Sequence, residues 1–360
     1  MDVNQIKDHV AALPRAHIGF YPTPFHKLSN LSKKYDVHVF MKREDLAGPG
    51  TISGSKTRLS EFILGNALEQ GYTHVITQGV HLTNSGLQFA AASRVAGLTP
   101  ILFLTRDTAR HGKLEEYRGN LLLNQIMDVE THHLETTGGG YWEDKSNPID
   151  QAMETRRLEL EAEGHRAIIV PTGGAHPDGF VAHLLTFVEM IEQSEQKGIT
   201  LDYIYHTAGT GTALPGLLAG KFLMNHPVKL RSIAILAYKE GGFMGPSTIV
   251  ERVKGILKRL GAPLPSDESI RAEIDVDEAF IGEDYAVPSE EGIAAIKEVA
   301  QADGVFLGPV YTAKGFAGLI DHVQRGKVPS KSNVAFLHTG DTANLFEVST
   351  VVGAITEPIQ

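Results

Sequence analysis

Short β-rich runs alternate with longer segments of helical periodicity along this chain of 360 residues. The runs that we predict as strands are VHVFMKR, THVITQG, PILFLTR, AIIVPTG, YIYHTAG, SIAILAY and NVAFLHT. Most of these runs are apolar on both faces, as strands of a parallel sheet covered by helices must be. Between them, apolar residues recur at helical spacing, for example at Leu59, Phe62, Ile63 and Ala67. The alternation predicts an α/β fold with parallel sheets flanked by helices.

Two stretches interrupt this pattern. The stretch from Thr131 to Pro148 contains three consecutive glycines and predicts a long loop. The stretch from Gly261 to Pro288 is rich in Pro, Asp and Glu, and it predicts an irregular surface segment. A helix is expected after it, from Glu290 to Gln301.

Composition and charge exclude several classes of function. The hydrophobic fraction of 42% is that of an ordinary globular protein. The net charge of −10 comes without a long run of either sign, so we expect a small partner rather than nucleic acid or a membrane surface. The absence of cysteine excludes disulfides, thiolate metal sites, iron–sulfur clusters and a cysteine nucleophile.

Targeting signals and common catalytic motifs give little indication of function. No apolar run approaches the roughly 20 residues of a membrane span, and the first residues lack the apolar core of a secretory signal. We therefore expect a cytoplasmic protein. No HExxH pair is present, so we predict no metal, and no GxSxG motif supports a serine hydrolase.

The segment GSKTRLSEF places Lys56 in the first turn of an amphipathic helix. A lysine at this position lies in the positive field of the helix N-terminus, which lowers the pKa of its amine. Taken alone the signal is weak, because surface lysines are common in first turns.

The segment HLTNSGLQFAAA follows a predicted strand directly and places Thr83, Asn84 and Ser85 where a helix begins. Their side chains and the free backbone N–H groups of the first turn can bind a carboxylate. The alternative is an ordinary N-cap without a binding role.

The segment YIYHTAGTGTALPGL runs from a predicted strand into Gly209, Thr210, Gly211 and Thr212 before a helix. Glycine N–H groups, threonine hydroxyls and the helix dipole together can hold a phosphate. A dinucleotide-binding loop is the rival interpretation, but the spacing before Gly216 is too long for it, and no acidic residue clearly ends the next strand.

In the segment GPVYTAKGFAGL, Tyr311 and Thr312 lie between a short apolar run and a helix of small residues. An uncharged hydroxyl such as that of Thr312 can hydrogen-bond a ring nitrogen without forcing its protonation. The alternative is that Thr312 only caps the helix that follows.

Taken in order, these segments resemble the D-cysteine desulfhydrase and 1-aminocyclopropane-1-carboxylate deaminase family, whose members are pyridoxal phosphate enzymes of the tryptophan synthase β-like fold. The likeness covers nearly the whole chain. It is carried by MKREDL, GSKTR, ALEQGYTHVITQG, VPTGGAHPDGF, EEGIAAIKEVAQADGVFLGPVYTAKGFAGLIDHV and HTG.

The resemblance implies pyridoxal 5'-phosphate as cofactor, bound as a Schiff base on Lys56. It implies that Asn84 contacts the 3′-oxygen of the cofactor. The phosphate would be held by Gly209, Thr210, Gly211 and Thr212.

For the substrate, the resemblance implies contacts with Thr83, which stands where the family has a serine, and with its neighbours Asn84 and Ser85. Tyr285 and Tyr311 match tyrosines that line the site. Thr312 matches the residue that faces the pyridine nitrogen, which is a glutamate in the deaminase branch and a threonine in the desulfhydrase branch.

Several positions depart from the family pattern. Ser55 replaces an asparagine, and Leu59 replaces a lysine that contacts the phosphate. Leu82 and Leu87 replace a glutamine and an arginine close to the site of the substrate carboxylate. These departures predict weaker cofactor binding and altered substrate selectivity.

We therefore predict a lyase that cleaves a small amino acid by α,β-elimination and gives pyruvate and ammonia. The alternatives are ring opening of aminocyclopropane carboxylate, which Thr312 disfavours, and a protein that binds pyridoxal phosphate without turnover. We expect a large domain of residues 1–55 and 164–360, an inserted small domain of residues 56–163, and the cofactor between them. The resemblance implies a homodimer.

Overall fold

Helices and strands alternate through most of the chain. The computed structural model describes residues 1–49, 53–108, 115–136, 148–347 and 351. Its strands are β1 (Phe25–Lys27), β2 (His38–Arg43), β3 (His74–Val80), β4 (Thr99–Arg106), β5 (Glu130–Glu135), β6 (Ala167–Val170), β7 (Tyr203–Ala208), β8 (Lys229–Ala234), β9 (Val276–Asp277) and β10 (Asn333–His338). Its α-helices are α1 (Val3–Ala11), α2 (Ser29–Tyr35), α3 (Lys56–Glu69), α4 (Asn84–Val95), α5 (Gly119–Ile126), α6 (Pro148–Ala162), α7 (Ala182–Gln196), α8 (Ala213–Met224), α9 (Pro246–Arg259), α10 (Asp267–Ala272), α11 (Glu290–Asp303) and α12 (Thr312–Gln324). None of the described helices combines the length and the apolar character needed to cross a bilayer.

The strands form a six-stranded and a four-stranded sheet. The larger sheet has the order β1-β2-β10-β7-β8-β9, in which β1 is antiparallel to β2 and the other pairs are parallel. The smaller sheet has the order β5-β4-β3-β6 with all pairs parallel. Each run predicted as a strand forms or overlaps a strand of these sheets, which confirms the predicted α/β class.

The strands β1, β5 and β9 were not predicted, for physical reasons that differ. Strand β1 has 3 residues and β9 has 2, which is too short for a period to be recognised. Strand β5 is polar and only partly buried because it lies at a sheet edge. It occupies the beginning of the stretch from Thr131 to Pro148 that was predicted as a loop, and residues 137–147 of that stretch lie outside the described residues. The stretch from Gly261 to Pro288 contains α10 and β9.

Helices cover both faces of each sheet. On the larger sheet, α7, α8 and α9 bury residues such as Phe187 against one face, and α11 and α12 bury residues such as Phe316 against the other. On the smaller sheet, Phe89 of α4 packs in one apolar cluster and Met153 of α6 packs in another. Covering on both faces explains why the strands read as continuous apolar runs.

The smaller sheet does not end where the inserted domain was predicted to end. Strand β6 pairs with β3 in parallel, with Ala167 opposite His74. This sheet therefore extends beyond residue 163, because a strand that follows the predicted boundary completes it. The division of the chain into two domains stays a prediction.

Candidate active site

A cavity opens at the carboxyl ends of parallel strands that belong to both sheets. The segments that follow β3, β6, β7 and β10 contribute to its wall. Ligands of open parallel sheets bind at such strand ends. The cavity brings together the predicted site residues Lys56, Thr83, Asn84, Ser85, Gly209, Thr210, Gly211, Thr212, Tyr285 and Tyr311.

The backbone around Lys56 is held by segments that are distant in the chain. Gln88 of α4 accepts a hydrogen bond from Lys56 N with its Oε1 at 2.8 Å. Gly54 forms a bridge with Gly340, and a Cβ atom on Gly54 would lie 2.3 Å from Thr339 O. Only a glycine at this position allows so close an approach. Lys56 is thereby fixed between α4 and the end of β10.

The amine of Lys56 has a hydroxyl partner and no described carboxylate partner. Its Nζ donates to Thr212 Oγ1 at 2.7 Å, and it forms no ion pair in the described part of the chain. Burial and the nearby positive charge of Arg252 lower the pKa of this amine to about 8. Burial is thus the main cause of the shift, whereas the sequence suggested the helix terminus. Lys56 loses its proton far more readily than an exposed lysine.

Thr83 both caps α4 and lines the cavity, so the two interpretations of this segment are compatible. Its Oγ1 accepts a hydrogen bond from Gly86 N at 3.1 Å and lies 3.3 Å from Ser85 Oγ. The side-chain Oδ1 of Asn84 is buried and has no hydrogen-bond partner within the described part of the chain. Buried polar atoms normally have a hydrogen-bond partner, so this oxygen is a candidate to accept a hydrogen bond from a bound ligand.

The segment Gly209–Thr212 forms a bend between β7 and α8. Gly211 has a φ of +66°, and a Cβ atom there would lie 2.5 Å from Phe243 O. The N–H groups of Gly211 and Thr212 donate to no other group in the described part of the chain. Free N–H groups at a helix N-terminus bind anions.

Two neighbouring tyrosines, Tyr285 and Tyr311, form another part of the cavity wall. The hydroxyls of Tyr285 and Tyr311 are hydrogen-bonded to each other, and their rings lie 5.9 Å apart with an interplanar angle of 72°. Burial raises the pKa of Tyr285 well above its usual range. The phenol of Tyr285 therefore stays protonated at neutral pH, and the tyrosine pair can donate a hydrogen bond into the cavity.

A buried carboxyl group stands behind this tyrosine pair. Asp341 Oδ2 accepts hydrogen bonds from Val310 N at 2.9 Å and from Tyr311 N at 3.1 Å. Burial raises the pKa of Asp341 to about 7, although the hydrogen bonds to Asn344 and to these N–H groups oppose the shift. Asp341 fixes the backbone of Tyr311 and does not line the cavity.

The same network reaches the turn that precedes Thr83. The amide of Asn344 donates to Asp341 Oδ1 and to Leu82 O, the latter at 3.2 Å. Asn120 of α5 donates to Leu82 O at 2.8 Å and to Asn344 Oδ1 at 3.1 Å. Hydrogen bonds thus connect the backbone of Tyr311 with the turn that presents Thr83.

Thr312 lies next to the cavity but is not among the residues that line it. Its Oγ1 accepts a hydrogen bond from Gly308 N at 2.7 Å, and its side chain is 0% exposed. As the first residue of α12, it bonds back to the preceding loop and does not cap the helix. This geometry gives no support to a contact with a ring nitrogen, which stays a prediction from the resemblance.

The departures from the family pattern have different surroundings. Leu59 is 0% exposed and packs in the larger apolar cluster. Leu82 and Leu87 are buried as well. Ser55 lines the cavity, but its side chain forms no cap bond to α3. Buried leucines, Leu59 and Leu87, therefore stand where the family pattern has a charged lysine and a charged arginine.

The sequence did not reveal several residues that shape the site. Gln88, Arg252, Asp341 and Lys314 act through backbone groups of other segments. Lys314, for example, donates to Ile281 O at 2.6 Å in the loop before Tyr285. A spacing of four residues from Asn84 could have indicated Gln88, which therefore shares its helix face. No local pattern marks the other three.

The residues present fit pyridoxal phosphate. Lys56 offers a readily deprotonated amine, Gly211 and Thr212 offer unpaired N–H groups for a phosphate, and the buried Oδ1 of Asn84 lacks a partner. In the described part of the chain, no group of three or more acidic or histidine side chains is placed to hold a metal ion. The roles assigned to the individual residues stay predictions.

Known proteins resemble this chain over most of its length. A protein of Pyrococcus horikoshii named "Putative 1-aminocyclopropane-1-carboxylate deaminase" is 32% identical, and the alignment covers 94% of both chains. A D-cysteine desulfhydrase of Serratia proteamaculans is 28% identical, over 95% of this chain and 98% of the relative. A crystal structure of an ACC deaminase homologue superposes with a TM-score of 0.83 at 29% identity, covering 97% of this chain and 98% of the other.

The fold is shared more widely than the sequence. Threonine deaminase isoform 2 from Solanum lycopersicum superposes with a TM-score of 0.61 at 16% identity, which shows the fold alone. These likenesses confirm the predicted fold type II architecture of parallel sheets flanked by helices. The family described as pyridoxal-phosphate dependent enzyme matches residues 17–340, which include all the predicted site residues from Lys56 to Thr312. The chain therefore belongs to this family of enzymes, and pyridoxal phosphate is its cofactor.

Proposed function

We propose that this enzyme removes a leaving group from the β-carbon of a small amino acid and releases pyruvate and ammonia. The names of its relatives, D-cysteine desulfhydrase and 1-aminocyclopropane-1-carboxylate deaminase, favour a small amino acid as substrate. When bound, pyridoxal phosphate draws electrons away from the α-carbon of the amino acid. The observation that carries the proposal is the surroundings of the Lys56 amine, which donates to the hydroxyl of Thr212 and has no described carboxylate partner.

Lys56 has two tasks in this proposal. Its Nζ holds the cofactor and, once the substrate has replaced it, accepts the proton from the α-carbon of the substrate. A general base works best when its pKa lies near the working pH, and the pKa of Lys56 is lowered to about 8. Thr212 Oγ1 keeps the amine in position through its hydrogen bond.

Substrate binding is assigned to the start of α4 and to the tyrosine pair. The hydroxyls of Thr83 and Ser85 and the N-terminus of α4 suit the carboxylate of an amino acid. Tyr285 and Tyr311 supply a hydrogen-bonded pair of phenol groups, in which Tyr285 stays protonated at neutral pH, and the pair can donate to a departing group. This set binds and orients the substrate without a fixed negative charge.

The choice between elimination and ring opening depends on charge. No aspartate or glutamate is among the described residues that line the cavity, and the hydroxyl of Thr312 accepts from Gly308 N and donates toward Gly340 O at 3.4 Å. Without an acid beside it, a pyridine nitrogen stays unprotonated and withdraws electrons more weakly. A weak electron sink suffices for a good leaving group, whereas an unactivated cyclopropane ring needs a strong one. Ring opening of aminocyclopropane carboxylate remains the alternative, because relatives carry that name.

A panel assay with the cofactor-loaded enzyme tests the proposal. D-Cysteine, L-cysteate, β-chloroalanine, diaminopropionate and aminocyclopropane carboxylate are supplied separately, and the keto acid and ammonia released are measured. We expect pyruvate from at least one β-substituted alanine, and Lys56→Ala serves as the inactive control. Release of 2-oxobutanoate from aminocyclopropane carboxylate at an equal or higher rate would replace elimination by the deaminase alternative.

The homodimer and the cytoplasmic location belong to the same proposal. Both were inferred from the sequence and its resemblance. Sedimentation analysis of the loaded enzyme and fractionation of the cells that produce it test them separately from the assay.

A further inference from the structure

Arg252 of α9 joins two backbone segments that form one side of the cavity wall. Its Nη1 donates to Thr210 O at 2.9 Å, to Gly211 O at 2.7 Å and to Phe243 O at 3.1 Å. The guanidinium also lies 4.8 Å from the centre of the Phe180 ring. Arg252 does not line the cavity itself, whereas the three residues that it holds do.

The hydrogen bonds of Arg252 determine which way the neighbouring peptide groups point. In a planar trans peptide, the C=O and the N–H bonds point in opposite directions. Because the carbonyl groups of Thr210 and Gly211 point to Arg252, the N–H groups of Gly211 and Thr212 point away from it. These N–H groups have no acceptor in the described part of the chain. Arg252 therefore presents two unpaired donors on the opposite side of the loop.

The charge of Arg252 has no carboxylate to balance it among the described residues. It forms no ion pair there, and the only opposing charge of note is that of its neighbour Glu251. Burial lowers the pKa of Arg252 to about 10. A short loop that carries unpaired N–H donors, with a cation on its other side, makes a region of positive potential that suits a compact dianion.

We propose that Arg252 is a positioning residue for the cofactor phosphate, which holds the N–H groups of Gly211 and Thr212 toward the phosphate and attracts the dianion by its charge. The inference depends on the cofactor, which family membership provides, and not on the substrate proposed above. It assigns to α9 a part in cofactor binding. Loss of Arg252 should weaken the binding of the phosphate more than the binding of the rest of the cofactor.

Binding of two aldehydes to the cofactor-free protein tests this inference. Pyridoxal phosphate and pyridoxal both react with Lys56, but only the first carries a phosphate. Absorbance titrations give the two dissociation constants for wild type, Arg252→Met, Arg252→Gln and Arg252→Lys. The matched control is Arg259→Met, because Arg259 lies on the same helix but pairs with Asp178 at 3.1 Å.

We expect Arg252→Met to weaken pyridoxal phosphate about tenfold to hundredfold, the range of a few charge-assisted hydrogen bonds, and pyridoxal by less than about twofold. Arg252→Lys should recover part of the loss, and Arg259→Met should leave both constants within about twofold. An unchanged affinity for pyridoxal phosphate, or an equal loss for both aldehydes, would overturn the inference. If Arg252→Met does not fold, as judged by circular dichroism, the same ratio measured on Arg252→Gln and Arg252→Lys decides. The experiment measures binding and no turnover of an amino acid. Its outcome therefore tests the role of Arg252 independently of the proposed reaction.

Discussion

Two basic residues near the start of α3, Lys56 and Arg58, lie in opposite electrostatic surroundings. Arg58 is 0% exposed and donates to Glu44 at 2.9 and 2.7 Å and to Glu189 at 2.7 and 3.0 Å. Although burial opposes its charge, these carboxylates raise the pKa of Arg58 far above its usual range. Lys56 contacts a hydroxyl, and its pKa is lowered to about 8.

The difference shows that two basic residues in one helical turn can have different roles, one in stability and the other in catalysis. A buried cation that is fully paired by carboxylates stays charged and stabilises the packing around it only as long as every partner is present. A buried lysine without a carboxylate partner gives up its proton easily, which a base or a nucleophile requires. Partners supplied by distant segments, together with the lower pKa of a lysine, therefore separate the two roles.

The largest effect is expected from Lys56→Ala. The substitution removes the amine that holds the cofactor, so the absorbance band of the bound cofactor and the lyase activity should both disappear. Thermal stability of the cofactor-free protein should not fall, because a buried charge without a carboxylate partner is removed. Borohydride reduction of the wild type followed by peptide mapping checks the site, and label on another lysine would refute the assignment.

The opposite pattern is expected from Arg58→Met. Glu44 and Glu189 would keep buried charge without their main partner, which costs about 3–5 kcal/mol of unfolding free energy. Urea denaturation of the cofactor-free protein measures this loss. Arg157→Met is the control, since Arg157 pairs with glutamates at the surface and its loss should change stability little. A loss as small as that of the control would contradict the contrast between Arg58 and Lys56.

The pH dependence of stability gives a third, smaller effect. In the folded protein Lys56 has a pKa of about 8, whereas its usual value is 10.5. Between these values the unfolded chain binds a proton that the folded protein does not, so the free energy of unfolding rises with pH. Lys314 is also lowered to about 8, so only the difference between wild type and Lys56→Met isolates Lys56. A difference that stays constant over this range would place the pKa of Lys56 near its usual value.

The smallest effect is expected from Thr312→Val. Its hydroxyl accepts a hydrogen bond from Gly308 N, so the substitution should cost about 1 kcal/mol of stability. The ratio of rates on a β-substituted alanine and on aminocyclopropane carboxylate should stay unchanged, with Thr312→Ser as the control. A changed ratio would restore the contact between Thr312 and the pyridine nitrogen that the resemblance implies.

The sequence predicted the parts of this molecule in which neighbours along the chain determine the structure. Central strands such as β3 and β7 are buried over most of their length because helices cover both faces. Strand β5 escaped prediction because its exposed edge allows polar residues. The turn at Gly209–Thr212 was recognised because glycines, hydroxyls and a helix start occur together.

Contacts between distant segments could not be predicted in the same way. Arg252 reaches the loop at Gly211 from α9, and Asp341 reaches Tyr311 N from the end of β10. Neither residue lies in a motif of its own. The hydroxyl of Thr312 accepts from Gly308 N because the path of the preceding loop places this N–H within its reach. Contacts of this kind depend on how distant segments are placed in the folded protein, which a local pattern of residues does not reveal.

The carbonyl oxygen of Leu82 accepts hydrogen bonds from two asparagine amides, those of Asn120 and Asn344. One amide comes from α5 and the other from the segment after β10, so the turn that presents Thr83 has two attachments. Either asparagine can be lost while the other still holds the carbonyl, and the second loss does more damage than the first. The effects of the two substitutions are therefore not additive. We therefore expect that a substitution at one of these positions leaves the turn in place and that substitutions at both loosen it.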